Sequence, residues 1–242
     1  MFVHYRTKGI IIKKTDRGEA DEFLTIYTKD FGKLEILGKA IKRMASKLRS
    51  AVDFFYLSEI EFIQGKNFKT LTDAVLVDKF LNLRKDVLKL RIAEKIAEIL
   101  DNLIKGQEPD KKIWNLTSET FNALDSSDAP SSILNLQYWY FVWKLLADLG
   151  YKPELYNCSV CQNKLTPGTL YFSPSEGGIV CGYCFRKVKD KKQITPEAVK
   201  ILRIIAKKEW AVVKRIKIDG ATQKTLKDIS NYYLESILEK NR

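Results

Sequence analysis

Cys158 and Cys161, then Cys181 and Cys184, form two CxxC pairs with nineteen residues between them, and they are all the cysteines in the chain. A CxxC turn brings two thiolates within reach of one tetrahedral cation, and two such pairs at this separation read as a four-thiolate zinc ribbon. The intervening residues 163–180 contain a strand-like Thr169-Leu-Tyr-Phe172 and a Gly177-Gly178 turn, as a ribbon hairpin requires. Four thiolates fill the coordination shell of zinc and leave no place for an activated water, so the expected cofactor is one structural zinc ion. Two disulfides or a redox dithiol pair are the competing reading. The first fourteen residues lack a signal-peptide core, and no run approaches the roughly 20 apolar residues of a membrane span, so reduced thiols in a cytoplasmic, nucleoid-associated protein are expected.

Other catalytic chemistry is thin. His4 is the only histidine, and the phosphate-loop, dinucleotide, nucleophile-elbow and HExxH patterns are absent. Glu19, Asp21 and Glu22 precede a strand in a polar loop. Glu59 and Glu61 share one face of a strand and read as its solvated side. A metal-dependent nuclease would have to be built from Glu19, Asp21 or Glu59, and the expectation is a protein that is not an enzyme.

The elements that must carry these residues change period at about residue 79. Residues 8–14, 23–28, 33–37, 54–64 and 68–77 are five runs rich in β-branched and aromatic side chains, joined by turn sequences at 16–18, 29–32 and 64–67. Five short antiparallel strands suit a closed OB-fold barrel, with an SH3-like barrel as rival. From Phe80 the apolar residues recur at three and four, predicting a long helix capped by Asp78 and reaching Leu100, a second over 113–124, and a third around Leu134 to Leu149 that is apolar on nearly every face and stops at Gly150. Beyond the cysteines, Thr195 and Pro196 open a helix to about Lys207, and residues 222–239 form the last. The predicted fold is α+β: an N-terminal five-stranded OB-fold barrel over 1–78, then an all-α domain over 79–157 and 186–242, with the zinc ribbon inserted at 158–185.

The formal net charge is +12, and it is uneven: Lys and Arg outnumber Asp and Glu by 14 to 11 over residues 1–78 and by 16 to 7 over 186–242, with equality between. Residues 38–50 read GKAIKRMASKLRS, placing Lys39, Lys42, Arg43, Lys47 and Arg49 in a connection between the third and fourth strands that holds no acid. Such a loop is suited to polynucleotide phosphates, and Tyr27, Phe31 or Phe68 are candidates for base stacking unless they belong to the barrel core. A second basic set, Arg186, Lys187, Lys189, Lys191 and Lys192, follows the ribbon directly and is continued by Lys207, Lys208, Lys214, Arg215 and Lys217, which would extend the same groove. A barrel with a basic loop and a ribbon also suits an RNA-binding protein of the translation machinery.

The order of motifs carries a resemblance. Gly9-Ile-Ile-Ile12, Gly18-Glu-Ala-Asp-Glu-Phe-Leu-Thr-Ile-Tyr-Thr28, Gly32-Lys-Leu34, Leu37-Gly-Lys-Ala-Ile-Lys-Arg43 with Ser46-Lys-Leu-Arg49, and Trp143-Lys-Leu-Leu-Ala-Asp-Leu-Gly-Tyr151 ahead of the first CxxC together resemble the bacterial recombination mediator family RecO over nearly the whole chain. The resemblance implies an OB-fold, a helical domain bearing the ribbon, and a non-enzymatic role in recombinational repair of the RecF pathway. It implies binding of single- and double-stranded DNA, annealing of complementary strands, and, with RecR, loading of RecA onto strands coated by single-stranded DNA-binding protein. Lys42, Arg43, Lys47 and Arg49 fall on the family's basic loop, where family members often have glycine in place of Ala40. Some members lack the cysteines, which implies an architectural metal. The family's contact for the acidic, apolar tail of single-stranded DNA-binding protein lies in the helical domain, and no residue here is assigned to it.

Overall fold

The computed structural model describes residues 3–241. The first strand, β1 (His4–Arg17), is long enough to pair twice. Its first half runs antiparallel to β4 (Leu57–Gln64) and its second half to β2 (Asp21–Thr28), with a bulge between Ile11 and Lys13 that bends it from one partner to the other. The strand β3 (Gly32–Gly38) follows β2 in a hairpin, β5 (Lys69–Asp78) pairs with β4, and a short parallel pairing of Ile36 and Leu37 with Lys69 and Thr70 closes the barrel in the order β1-β2-β3-β5-β4. Five strands closed in this way are the OB-type barrel that the β-branched runs predicted. Inward-facing Ile11, Leu24, Ile26, Leu34, Ile36, Ile60, Phe62 and Leu71 fill it.

Two compact units make up the chain, one ending at Asp128 and the other beginning at Ala129. The sequence reading placed no boundary there. Three helices belong to the barrel's unit: α1 (Leu81–Lys85), α2 (Val87–Leu103) and α3 (Lys111–Ser126). The single long helix expected from Phe80 is broken. Asp78 does accept the Phe80 N–H at 2.8 Å, but Asp86 leaves helical geometry and caps a new helix, accepting from the N–H groups of Leu88 (2.8 Å) and Lys89 (3.1 Å). Asp78 is therefore not the expected cap: α1 starts after Phe80, which has a left-handed φ of 49° and no side-chain cap bond, and Asp86 caps α2 instead.

The second unit is built around α4 (Ser131–Asp148), which is buried almost all round, as its sequence requires. It ends where expected. Gly150 has φ 91°, the Tyr151 N–H reaches back to Leu146 O at 2.8 Å and the Gly150 N–H to Ala147 O at 3.2 Å, a closure that satisfies the last carbonyls. A three-stranded sheet follows, β6 (Leu170–Ser173) between β7 (Gly178–Cys181) and β8 (Lys192–Ile194). Then come α5 (Pro196–Lys207), opened by the Thr195 side chain accepting from Ala198 N–H, the one-turn α6 (Trp210–Val213), and α7 (Gly220–Lys240). Helices α4, α5 and α7 pack on one another.

Candidate nucleic-acid interface and metal centre

The basic connection between β3 and β4 is pinned from beneath and open above. Ile41 and Val52 are buried in the barrel core and Leu48 packs against it, so apolar side chains at intervals tie the loop down. Its backbone is held too. Asp21 Oδ1 accepts the Ala40 N–H at 2.7 Å, Ala20 O accepts the Lys42 N–H at 3.0 Å, and a 3-10 turn over Lys47–Ala51 completes the return. Between these anchors Lys39, Arg43, Lys47 and Arg49 are exposed. None of these four forms an ion pair among the described residues. Lys42 differs, since its ammonium lies 2.6 Å from Asp16 and is partly neutralised. Ala40 holds φ 52°, a left-handed conformation costly for any residue with a Cβ.

The proposed stacking aromatics divide. Tyr27 is 1% exposed, its ring against Trp114, and burial followed by the charge of Asp110 pushes its phenol pKa up, so it is core and cannot meet a base. Phe31 sits edge-on to both Tyr5 and Phe62 and is likewise part of the barrel filling. Phe68 alone is exposed, with Phe23 beside it and the Arg17 guanidinium 4.4 Å from its ring centre. Among the acids, Asp21 serves the loop backbone, Glu22 is buried against Lys14 at 3.0 Å, and Glu59 and Glu61 pair with Arg6 and His4. Each has a structural partner, and they do not converge on one point.

The four cysteines do converge. Their sulfurs all lie within 4.8 Å of one another, and Cys161 Sγ and Cys181 Sγ are 3.9 Å apart. A tetrahedral ion bound at about 2.3 Å to each sulfur would set edges of roughly 3.8 Å, so the donor set fits one metal ion. The two knuckles are formed by the backbone. Gln162 N–H bonds Cys158 O at 2.8 Å in the first, and Cys184 N–H bonds Cys181 O at 3.0 Å in the second. Burial pushes the Cys158 thiol up, but N–H groups of Cys161, Cys181 and Val160 outweigh it and hold the pKa down at about 6, which favours the thiolate a metal needs. Cys184 moves the other way, to about 12, because burial and the neighbouring sulfurs all oppose a further negative charge. A cation held at the centre would favour the thiolate form of all four sulfurs.

Glu154 sets the approach to the first knuckle. Its carboxylate accepts the N–H groups of Tyr156 (2.6 Å) and Asn157 (3.0 Å), and these bonds hold its pKa below the usual range. Its backbone pairs with the ribbon hairpin at Gly178, where an added Cβ would stand 2.3 Å from Glu154 O. The hairpin is then fastened to the helices by rings: Phe172 lies edge-on to Trp143 and to Tyr233, Trp143 Nε1 donates to Ser230 Oγ at 2.8 Å, and the Tyr233 hydroxyl donates to Tyr151 O at 2.6 Å. Beyond the second knuckle, Arg186 and Lys187 lie on a 3-10 turn and are exposed, as is Lys189. Strand β8 was not anticipated because Lys191 and Lys192 masked it as a charge run; Ile194, buried against β6, was the available signal.

The cations Lys214, Arg215 and Lys217 were visible in sequence, but not the cleft of about 320 Å³ in the second unit that they line together with Ile133, Leu136 and Ile216. No helix among the described residues is long and apolar enough to cross a membrane.

An OB-type barrel with a basic loop, followed by helices that carry a four-cysteine ribbon, defines a class of multi-part protein whose exposed cations, rather than any cluster of acids and bases, are its conspicuous surface chemistry. Two family models cover the chain: "Recombination protein O N terminal" matches residues 1–80 and "Recombination protein O C terminal" residues 84–242. The chain belongs to the recombination protein O family, as the order of motifs led us to expect. Its relatives include proteins named DNA repair protein RecO from Dehalococcoides mccartyi strain BAV1 (30% identical over 236 residues, 98% of this chain and 91% of the relative) and from Caldanaerobacter subterraneus subsp. tengcongensis (30% over 234 residues, 97% and 93%). The protein of that name from Listeria monocytogenes serotype 4a is 26% identical over 231 residues, 95% and 88% of the two chains.

Proposed function

We propose that this protein is a non-enzymatic recombination mediator in DNA repair. It binds single- and double-stranded DNA through Lys39, Lys42, Arg43, Lys47 and Arg49 of the barrel loop and through Arg186, Lys187 and Lys189 beside the ribbon. The observation that carries this reading is the loop itself: four exposed cations without an acidic partner, on a backbone fixed to the barrel core. A loop already ordered loses little freedom on binding phosphates, and each contact releases counterions. Membership in the recombination protein O family supports the same role.

Annealing follows from charge. Two complementary strands repel through their phosphates, and a protein that binds both lowers that repulsion and makes pairing nearly unimolecular. No covalent step is required. The thiolate cluster holds one zinc ion, which fixes the knuckles and through Phe172 the seat of the ribbon on α4 and α7. The protein works at the nucleoid in the cytoplasm, with RecR, to load RecA onto strands coated by single-stranded DNA-binding protein. That coat protein's acidic, apolar tail has the chemistry of the cleft floored by Ile133, Leu136 and Ile216: cations on the rim for its carboxylates, an apolar base for its side chains.

Strand annealing on DNA coated with single-stranded DNA-binding protein tests the whole reading. The wild type should accelerate pairing, Lys39, Arg43, Lys47 and Arg49 replaced together by Ala should lose most of the acceleration, and a wild type that leaves the rate unchanged would reject the proposal.

A further inference from the structure

Two large apolar side chains stand almost wholly in solvent: Met44, 95% exposed, and Tyr183, 96% exposed. Both lie among unpaired cations. Met44 follows Arg43 in the barrel loop, and Tyr183 sits inside the second knuckle, Cys181-Gly-Tyr-Cys184, three residues before Arg186. A tyrosine left this open gives up the burial that normally repays an aromatic side chain. Tyr183 has no hydrogen bond or ring contact among the described residues.

The backbone beneath it is closely hydrogen-bonded. Cys181 and Cys184, on either side, both belong to the metal cluster, and the backbone continues in tight turns, with Cys184 N–H on Cys181 O at 3.0 Å and Lys187 N–H on Cys184 O at 2.9 Å. Tyr183 on the first of these turns and Arg186 and Lys187 on the second are all exposed, with the Arg186 guanidinium 5.8 Å from the Phe185 ring centre. Cys184 and Val188 are buried, and the Phe185 ring is stacked on Tyr171 at 5.1 Å, so the turn's other side is fastened to the ribbon. The nearest acid in sequence, Asp190, is committed elsewhere: its carboxylate accepts from Ser173 Oγ, Ser175 Oγ and Ser175 N–H. Arg186, Lys187 and Lys189 form no ion pair among the described residues.

An open ring beside two or more unpaired cations, on a backbone held by metal ligands, is the arrangement that receives a base and its flanking phosphates. We propose that the second knuckle is a contact for single-stranded DNA in which Tyr183 stacks on an unpaired base while Arg186 and Lys187 engage the adjacent phosphates. In a duplex the base faces are covered by their neighbours, so the ring adds nothing there and only the cations act. This inference rests on the proposed DNA-binding function and gives the ribbon a direct part in it.

The test measures binding of a 30-residue oligothymidylate and of a 30-base-pair duplex by fluorescence anisotropy. Tyr183→Ala and Tyr183→Leu should weaken oligothymidylate binding by about tenfold, in line with loss of one stacked base, and leave duplex binding within about twofold. Tyr183→Phe should match the wild type. Arg186→Ala with Lys187→Ala should weaken both DNAs and flatten the single-strand salt slope by about 1.4, two phosphates at roughly 0.7 each. Independently of affinity, Tyr183→Trp should add an indole emission that saturating oligothymidylate quenches. Wild-type affinity in both Tyr183→Ala and Tyr183→Leu, an equal loss in Tyr183→Phe, an equal loss on duplex, or an unquenched indole would each overturn the stacking role. A wild type that binds neither DNA would instead remove the function on which the inference stands.

Discussion

Replacing Phe172 by Ala should loosen the metal ribbon by destroying its seat. Phe172 is fully buried, its ring 5.8 Å from Trp143 and 5.1 Å from Tyr233, both edge-to-face. It lies on β6 opposite Ile179 of β7, two residues before Cys181, so a cavity at this point opens directly under the strand that presents the second knuckle. Phe-to-Ala changes in packed interiors cost about 3–5 kcal/mol, and this range already includes the lost edge-to-face contacts. Phe172→Leu keeps most of the volume and should cost about 1 kcal/mol. Urea unfolding followed by tryptophan fluorescence reads the stability change, and transfer of zinc to a chromophoric chelator reads the ribbon. If the metal escapes by local opening, 3 kcal/mol becomes a release about a hundredfold faster for Ala and less than about tenfold faster for Leu. A loss under about 1 kcal/mol for Phe172→Ala, or an unchanged release rate, would refute the idea that the aromatic seat and the thiolate cluster support one another.

Ala40→Gly should stabilise the barrel's unit by about 0.5–1 kcal/mol, because relief of the left-handed strain at φ 52° exceeds glycine's extra freedom in the unfolded chain, and thermal denaturation should show a higher midpoint. Asp101 accepts Lys13 Nζ at 2.8 Å and Lys33 Nζ at 3.2 Å; burial raises its pKa, but these two lysines outweigh it and hold the carboxyl below the usual range. Its contribution is therefore present above an unfolded pKa near 4 and lost as pH falls through the lower folded value. Asp101→Asn should cost about 1 kcal/mol at pH 7, with the gap from wild type closing in urea titrations as pH falls through the lowered folded value. Metal analysis of the purified protein should return one zinc per chain, and Cys158→Ser should lower that stoichiometry and expose residues 158–184 to proteolysis.

Much of this architecture is legible in the chain because local signals agree there. The alternation in Leu24-Thr-Ile-Tyr27 and Leu34-Glu-Ile36 names barrel strands, and the paired CxxC turns name the ligand cluster before any fold is known. Thr195 and Pro196 likewise mark a helix start that the structure keeps. Legibility fails where two signals of equal kind compete. Asp78 and Asp86 both read as cap residues in sequence, yet only Asp86 caps a helix, while α1 starts after a left-handed Phe80. It fails also where tertiary contacts assign a face. Tyr27 and Phe68 are both strand-associated aromatics on paper, yet one is buried against Trp114 and the other is exposed. The basic loop's cations were visible in sequence; that Lys42 is bridged to Asp16 while Arg43 is unpaired was not. Tyr183 escaped notice because a tyrosine between two metal ligands reads as ribbon packing until its exposure is seen.

The measurement that bears most directly on the central claim is the affinity of the purified chain for a labelled oligothymidylate as a function of sodium chloride. Contact with about 4–6 phosphates predicts a log–log slope of roughly −3 to −4. With Lys39, Arg43, Lys47 and Arg49 replaced together by Ala, the slope should flatten by about 2.8, four contacts at roughly 0.7 each, while Lys42→Ala alone should change it less than Arg43→Ala alone because Asp16 already offsets that charge. A wild type that ignores the oligonucleotide at low salt, or a quadruple variant with the wild-type slope, would contradict the account.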